Sequence, residues 1–146
     1  MVDDEDYEKF GKFSWYFHTT GHGVAVRRTP EKKGKVERIY LHRAILKAGK
    51  GIHVDHINGN TLDNRKQNLR LCSIAENNRN VGKRKNNISG YKGVFLNKKI
   101  SKWFAQVSFE KKGIYLGSFS SKKDAARAYN RAAIKYFGKF AQLNQL

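Results

Sequence analysis

His-Val-Asp-His-Ile-Asn-Gly-Asn-Thr-Leu, residues 53–62, is the stretch of this sequence that decides the fold. Its alternating character predicts a strand over 53–57 and a return strand over 60–62. The Asn58-Gly59 pair between them is the dipeptide that type I′ turns select, because both central residues of such a turn need a positive φ. We therefore expect a tight β-hairpin here.

A helix is expected soon after the hairpin. Ser73 is followed three residues later by Glu76, which is the spacing of a capping box, and the helix should run to about Asn80. Hairpin and helix together predict a ββα unit.

Polar side chains of this unit suggest a metal-binding site with a neighbouring base. A hairpin that crosses the start of a helix can bring Asp55 within reach of Asn77, one turn into that helix. A carboxylate and an amide suit a hard divalent cation, Mg²⁺ or Mn²⁺, which takes its remaining ligands from water and phosphate. His56 should point away from Asp55 along the strand, where it can act as a base.

These residues resemble the HNH endonucleases of the phage and homing type. The resemblance covers about Leu41 to Asn80 and is carried by Val54 to Arg65, Gln67 to Arg70 and Glu76 to Asn80. It implies the following roles: Asp55 as a metal ligand, His56 as the general base, Asn68 as a brace for the loop carrying the base, and Asn77 as the second metal ligand. Many members have His at the last position, and Asn78 and Asn80 are rivals for Asn77.

Upstream of this unit we expect two kinds of segment. Residues 1–8 are rich in acids and predict a mobile, solvated tail. Aromatic and β-branched residues then predict short antiparallel strands near 13–19, 23–28 and 36–41. His42, on the edge of the last strand, is interpreted as a packed or phosphate-touching residue. The nuclease domain would then span 9–80, with its ββα-metal core at about 41–80.

A basic linker follows, over 81–89, and we place the domain boundary there. The surrounding segment has four bases and no acid, namely Arg79, Lys83, Arg84 and Lys85. Such a segment is expected to lie on phosphate. The alternative is a merely soluble spacer.

Residues 90–146 form a second self-consistent pattern. Strands are predicted over 91–96, 102–109 and 113–119, followed by a helix with Ser121 as its cap and Gly138 as its stop. Apolar residues at helical spacing form one stripe that would cover one face of the sheet and leave the other free. The whole chain is therefore of the α+β class: N-terminal antiparallel strands with a ββα-metal unit, then a three-stranded antiparallel sheet packed on one helix.

This second pattern resembles the plant Apetala/ethylene-response-factor DNA-binding domain over nearly all of residues 90–144. The resemblance implies a sheet that lies in the DNA major groove, a groove wide enough for a β element. Carried over by position, the contacts fall on Lys92, Phe95, Asn97, Gln106, Ser108, Tyr115 and Tyr129. Positions where the family usually has Arg are here Phe95, Asn97, Ser108 and Gly113, so the plant recognition sequence does not carry over. The alternative is a small αβ module that binds protein.

Composition limits the kinds of binding partner and cellular compartment that we expect for this protein. The chain has 146 residues, 30 Lys and Arg against 12 Asp and Glu, and a formal net charge of +18. That excess favours nucleic acid, here double-stranded DNA, over an anionic membrane, and no apolar run is long enough to span a bilayer. A single cysteine, Cys72, leaves no disulfide partner and suits a cytoplasmic protein.

Together these features predict a metal-dependent, site-specific homing endonuclease, encoded by a bacteriophage or mobile element and acting on DNA in the host cytoplasm. With one Asp-His pair and no obvious dimer seam, it should be a monomer that nicks one strand. A non-catalytic DNA-binding regulator derived from such an enzyme is the alternative. An RNA-binding structural protein is a weaker one, since no RNA-recognition signature is present.

Overall fold

The computed structural model describes residues 1–19, 23–30, 34–83 and 86–146. They divide into two compact units, Met1–Asn78 and Arg79–Leu146. Each unit mixes helices with antiparallel sheet, so the α+β class is confirmed.

The first unit opens with a helix rather than a tail. Helix α1 spans Asp4–Phe10, and the strands β1 (Tyr16–His18), β2 (Val24–Arg28) and β3 (Arg38–Tyr40) form one sheet in that order. The three predicted strands are present but shorter than expected. The helix α2 (Leu41–Ile45) follows directly, so His42 lies on a helix and its predicted place on a strand edge is wrong.

The expectation of a mobile acidic tail is also wrong, because the acidic residues contact Lys66, which is distant in sequence. The Lys66 backbone N–H donates to Asp3 Oδ2 over 2.7 Å, and Lys66 Nζ lies 2.5 Å from Glu5 Oε1. Asp6 is only 2% exposed, with Oδ2 at 3.6 Å from the same ammonium. The acids are therefore held by partners some sixty residues away in the chain, which a local charge pattern cannot reveal.

A two-stranded sheet and a helix follow. Strand β4 (His53–His56) pairs antiparallel with β5 (Leu69–Cys72), and helix α3 spans Ile74–Asn80. The capping box is confirmed: the Ser73 N–H donates to Glu76 Oε2 over 2.8 Å, and the Glu76 N–H donates to Ser73 Oγ over 3.2 Å. The predicted ββα order therefore holds.

The predicted partner of β4 was wrong, however, since residues 60–62 form no strand. Gly59 has a positive φ of 74°, but Asn58 is not among the described residues with positive φ, as a type I′ turn would need. Asn58 Oδ1 instead accepts from the Asn60 N–H, and Asn60 Oδ1 accepts from the Leu62 N–H. These side chains take the backbone donors that a strand would need, so residues 57–65 form a loop.

The core of the first unit joins its parts. Leu41 and Ile45 of α2 and Leu69 of β5 are buried together. Partly buried side chains pack around them, namely Val2, Phe10, Trp15, Ala25, Leu46 and Val54. Helix α1 and both sheets thus share one small core, which fixes β4 and β5 against α2.

The second unit follows its predicted pattern closely. Strands β6 (Val94–Asn97), β7 (Lys102–Phe109) and β8 (Lys112–Phe119) form an antiparallel sheet in that order, and α4 spans Lys122–Phe137. Ser121 caps α4 by accepting from the Lys123 N–H, and Gly138, with φ 51°, ends it. Small alanines on α4 allow close packing on Ala105 and Val107, so one face of the sheet is covered.

Candidate active site

The pairing of β4 with β5 places the two central candidates. Asp55 lies opposite Arg70 and His56 opposite Leu69. Both candidate side chains are buried, with Asp55 5% and His56 6% exposed. Buried polar side chains require partners, and each of these has its own.

Asp55 is held by Arg70 across the sheet. Arg70 Nε lies 2.7 Å and Nη2 2.5 Å from the same carboxylate oxygen, Asp55 Oδ2. The Arg70 side chain is itself only 13% exposed. In a buried ion pair each charge compensates the other, because removal of either residue leaves a buried charge without a partner.

His56 is held from the loop and from α2. His56 Nε2 lies 3.1 Å from Asn64 Oδ1, and its ring meets the ring of His42 edge-on at a centroid distance of 5.3 Å. Asn64 is 2% exposed. The imidazole is thus fixed in position and orientation, which a positioned acid or base requires.

His42 has an unusual environment. Its Nδ1 is buried and makes no hydrogen bond to any residue that the structure describes. Burial lowers the pKa of His42 to about 4, and the nearby charges of His56 and Arg43 add to this. Arg43 in turn donates to the carbonyls of Ile52 (2.5 Å) and Gly49 (2.8 Å), which ties α2 to the chain entering β4. His42 is therefore neutral at physiological pH.

The loop that carries His56 into β5 is braced by Asn68. Asn68 Oδ1 accepts from the Asn58 N–H over 3.0 Å, and Nδ2 donates to the Asp63 carbonyl over 2.7 Å. Asp63 itself is 1% exposed and bound by Arg65 through both carboxylate oxygens. The Arg65 guanidinium, with Asn58, holds the pKa of Asp63 well below its usual range despite burial. The loop is therefore closed at both ends by polar contacts.

Cys72 ends β5, two residues before α3 begins. Burial raises the pKa of the Cys72 thiol to about 11, with further contributions from the carboxylates of Asp55 and Glu76. One thiol thus lies within electrostatic range of a carboxylate on β4 and of one on α3. Asn77 follows Glu76 on this helix and is half-buried, as is its rival Asn80, whereas Asn78 is exposed. Burial therefore leaves the choice between Asn77 and Asn80 open.

A carboxylate and an amide are the kind of oxygen donors that a hard divalent metal ion prefers. Within the described ranges, no group of three His, Cys, Asp or Glu side chains could hold a metal ion. A site here would draw on Asp55 and one amide oxygen from α3, the ligand set of an ion that keeps waters and binds substrate phosphate. A soft or all-protein metal cage does not fit these residues.

The predicted DNA contacts of the second unit occupy different environments. Phe95, Ser108 and Tyr115 are exposed on the sheet face away from α4, with Asn97 and Gln106 half-buried beside them. Tyr129 is only 3% exposed in the core, and burial raises its pKa to about 12. Its side chain therefore lies away from the surface, and the expectation that it contacts DNA does not fit this position.

Two predicted DNA contacts, Lys92 and Arg79, are also engaged within the protein. Lys92 Nζ donates to the carbonyls of Arg79 and Val81, and burial lowers its pKa to about 8. The Arg79 guanidinium lies 5.4 Å from the ring centroids of both Phe109 and Phe137. Lys83 is exposed and donates to the Gly90 carbonyl, while Arg84 and Lys85 lie outside the described residues.

Among helices built from the described residues, none has the length and apolar character that crossing a bilayer requires.

Comparison with known proteins adds the family. Residues 40–79 match the family profile described as HNH endonuclease. The uncharacterized HNH endonuclease L560 of Acanthamoeba polyphaga mimivirus is 34% identical over 143 residues, which cover 92% of this chain and 68% of that protein. The chain therefore belongs to the HNH endonuclease family, and its enzymatic class is that of a DNA-cleaving hydrolase.

Two further relatives match parts of the chain. Protein 3.8 of Escherichia phage T7 is 41% identical over 63 residues, which cover 43% of this chain and 52% of that protein. APETALA2-like protein 2 of Oryza sativa subsp. indica is 41% identical over 56 residues, 38% of this chain and 13% of that protein. Both expected resemblances, to HNH endonucleases and to the Apetala family, are thus confirmed. No solved structure gives a significant match.

Sequence reasoning missed three residues around the candidate site. Arg70 was quoted as part of the motif, but its contact with Asp55 follows only from the register of β4 with β5. Asn64 and His42 reach His56 from the loop and from α2. The sequence did contain a signal for Arg70, which lies two residues after Asn68. Because β4 was predicted to pair with residues 60–62, that signal could not be connected with Asp55.

Proposed function

We propose that this protein is a metal-dependent, site-specific DNA endonuclease of the homing type. In this proposal the first unit cuts a phosphodiester bond and the second unit positions the duplex. The observation that supports it best is the arrangement on β4, where the consecutive residues Asp55 and His56 are both buried and are held by separate partners, Arg70 and Asn64.

His56 would be the general base. His56 Nε2 lies 3.1 Å from Asn64 Oδ1, and in this proposal Nε2 would donate to that oxygen while Nδ1 would take a proton from the attacking water. Asn68 would act as a positioning residue, since it closes the loop between His56 and β5. With the ring fixed, the water would be aligned for in-line attack.

Asp55 and Asn77 would hold one Mg²⁺ or Mn²⁺ ion at the scissile phosphate. Such an ion, when bound, stabilises the negative charge on the departing 3′ oxygen. Asp55 supplies the anionic oxygen and Asn77 a neutral one, so the charge of Asp55 dominates the affinity for metal. Asn80 remains the rival of Asn77.

The second unit and the basic segment would place this site on the duplex. Lys83, Arg84 and Lys85 would contact phosphates, and the exposed sheet face would enter the major groove. One catalytic unit and one reading unit per chain suit a monomer, a non-palindromic target and a nick in one strand. The setting would be the cytoplasm of a host cell, with a phage or mobile element as the source.

The test uses supercoiled plasmids that carry fragments of host and phage genomic DNA. Wild-type protein should cut in the presence of Mg²⁺ or Mn²⁺ and should not cut in EDTA. His56→Ala should cut about 10²- to 10⁴-fold more slowly with unchanged duplex affinity. His53→Ala, three residues earlier on the same strand, is the matched control and should keep its activity. If His56→Ala cuts DNA at nearly the wild-type rate, His56 is not the general base.

A further inference from the structure

The outer face of the second unit's sheet carries three aromatic rings in a row. Phe95 of β6, Phe104 of β7 and Tyr115 of β8 are neighbours across the strands, with ring centroids 5.7 and 5.2 Å apart and edge-to-face angles of 63° and 64°. We call these three residues the aromatic ladder. Phe95 is 45% and Tyr115 57% exposed.

The ladder is not part of the core. Residues alternate along β7, and those that face α4 are Trp103, Ala105, Val107 and Phe109. Phe104 points to the opposite face, with Phe95 directly across from it. A row of exposed rings on so small a unit is typical of a surface that binds something.

Gln106 lies beside the ladder on the same face. A register shift between Ala105 and Gln106 sets Gln106 opposite Tyr115. Gly113 leaves room for the amide, since a Cβ at residue 113 would collide with Gln106 Nε2. The centre of the face therefore presents aromatic edges and one carboxamide, while Lys102 stands on the same face at the start of β7.

Charge identifies the class of partner. Residues 90–146 have twelve basic and two acidic side chains, a net charge of +10. A surface in such a unit attracts a polyanion, and the DNA major groove admits a β element. Apolar rings backed by positive charge fit a groove that has apolar groups of its own.

We propose that the aromatic ladder and Gln106 read A·T base pairs in the major groove. The thymine 5-methyl group is the apolar group that base pairs present there, and a carboxamide can bond adenine N6 and N7 together. Guanine is typically read by Arg or Lys, and along the strands β6–β8 this face carries Lys102 alone, at the start of β7. This inference rests on the proposed role of the second unit as the DNA reader.

A single strand is the competing occupant. Aromatic side chains also bind unpaired bases by stacking, with little regard for base identity. The amide of Gln106, placed beside the rings, favours the duplex because it offers a base-specific pair of hydrogen bonds. The test below separates the two occupants.

The experiment uses the full chain in EDTA, which prevents metal-dependent cutting during binding. A duplex library with a randomised core is selected for binding, and the selected duplexes are remade with deoxyuridine for thymine or with 7-deazaadenine for adenine. We expect A·T pairs in the selected core. Each contacted methyl group removed should weaken binding about fourfold.

Variants assign the contacts. Phe95→Ala and Tyr115→Ala should weaken binding and abolish the thymine-to-deoxyuridine difference, and Gln106→Ala should abolish the 7-deazaadenine difference. Ile134→Ala removes an apolar side chain, 56% exposed, from α4 and is the matched control that should change nothing.

Two outcomes would overturn the inference. One is that the selected duplexes bind with the same affinity whether they contain thymine or deoxyuridine, and bind the ladder variants as tightly as the wild type. The other is ladder-dependent binding of single strands whatever their bases. In either case the proposed nuclease remains separately testable, since its failure would appear as an absence of metal-dependent plasmid cutting.

Discussion

Arg70 neutralises Asp55 from the adjacent strand, with two nitrogen atoms bound to one carboxylate oxygen. In the proposed enzyme the same carboxylate would bind a divalent cation. Two cations that share one buried carboxylate repel each other, so each weakens the binding of the other. In the proposed enzyme Arg70 would therefore act against metal binding by Asp55 while stabilising the fold.

Arg70→Gln should show both effects. Without metal, the free energy of unfolding should fall by about 3 kcal/mol, because Asp55 is left as a buried, uncompensated charge. Mn²⁺ should bind more tightly and restore more stability than in the wild type. Electron paramagnetic resonance titration and urea unfolding with and without Mn²⁺ measure the two quantities.

Arg65→Gln is the matched control for Arg70→Gln. It breaks the ion pair with the equally buried Asp63 and should destabilise the protein without changing Mn²⁺ affinity. Weaker Mn²⁺ binding by Arg70→Gln would contradict the competition and make Arg70 a residue that orients Asp55.

Asn68→Ala should slow cleavage about 10- to 100-fold at unchanged duplex affinity. The change leaves the Asn58 N–H and the Asp63 carbonyl without their partner, and should also cost about 1–3 kcal/mol of stability. Plasmid cleavage and fluorescence anisotropy separate the two steps. Asn60→Ala, in the same loop, removes only a local turn contact and should cleave normally; equal losses in both variants would mean general loop disorder instead.

His42 makes stability depend on pH. Its pKa is about 4 in the folded chain against about 6.5 when unfolded, so only the unfolded chain gains a proton between these values. Stability should therefore fall as pH drops from 6.5 to 4, by about 3 kcal/mol in total. His42→Phe should have a shallower pH dependence over this window.

Trp15 fluorescence can follow this unfolding, in a Trp103→Phe background so that the signal reports the first unit alone. The same pH dependence in His42→Phe and its parent would show that another group is responsible.

The basic segment should contribute charge without sequence preference. Replacement of Lys83, Arg84 and Lys85 by Ala should weaken binding to all duplexes and reduce the salt slope by up to about 0.9 per lost phosphate contact. Ala replacements at Lys122, Lys123 and Lys135 remove equal charge from exposed positions of α4 and should reduce the slope less. Equal slopes in the two triple variants would refute a specific role for the segment.

The first product on a supercoiled plasmid should be the nicked circle. One Asp-His pair per chain brings one site to one phosphate, and linear DNA should appear later or at high enzyme concentration. Gel electrophoresis of a time course distinguishes the forms. Linear DNA at equimolar enzyme without a nicked precursor, with cuts symmetric about a palindrome, would contradict this prediction.

Local signals were predictable from the sequence, and contacts between distant residues were not. The capping box of α3 and the stripe of α4 involve residues a few positions apart, and both were predicted correctly. The partner of β4 was not, because Asn58 and Asn60 bind backbone N–H groups that the turn rule assigns to a hairpin. The contact of Arg70 with Asp55 depends on the register of β4 with β5. The contact of His42 with His56 depends on the position of α2.

Cys72 gives the protein a practical property. It is the only cysteine of the chain, is 6% exposed, and has a pKa that burial raises to about 11, so the thiol stays protonated near neutral pH. The thiolate, rather than the thiol, is the form that attacks maleimides and disulfide reagents, so these reagents should leave Cys72 unmodified. A cysteine introduced at exposed Ser108 or Ser118 would then be the single reactive handle, and cross-linking it to thiol-bearing bases would reveal which end of the sheet meets which end of the target.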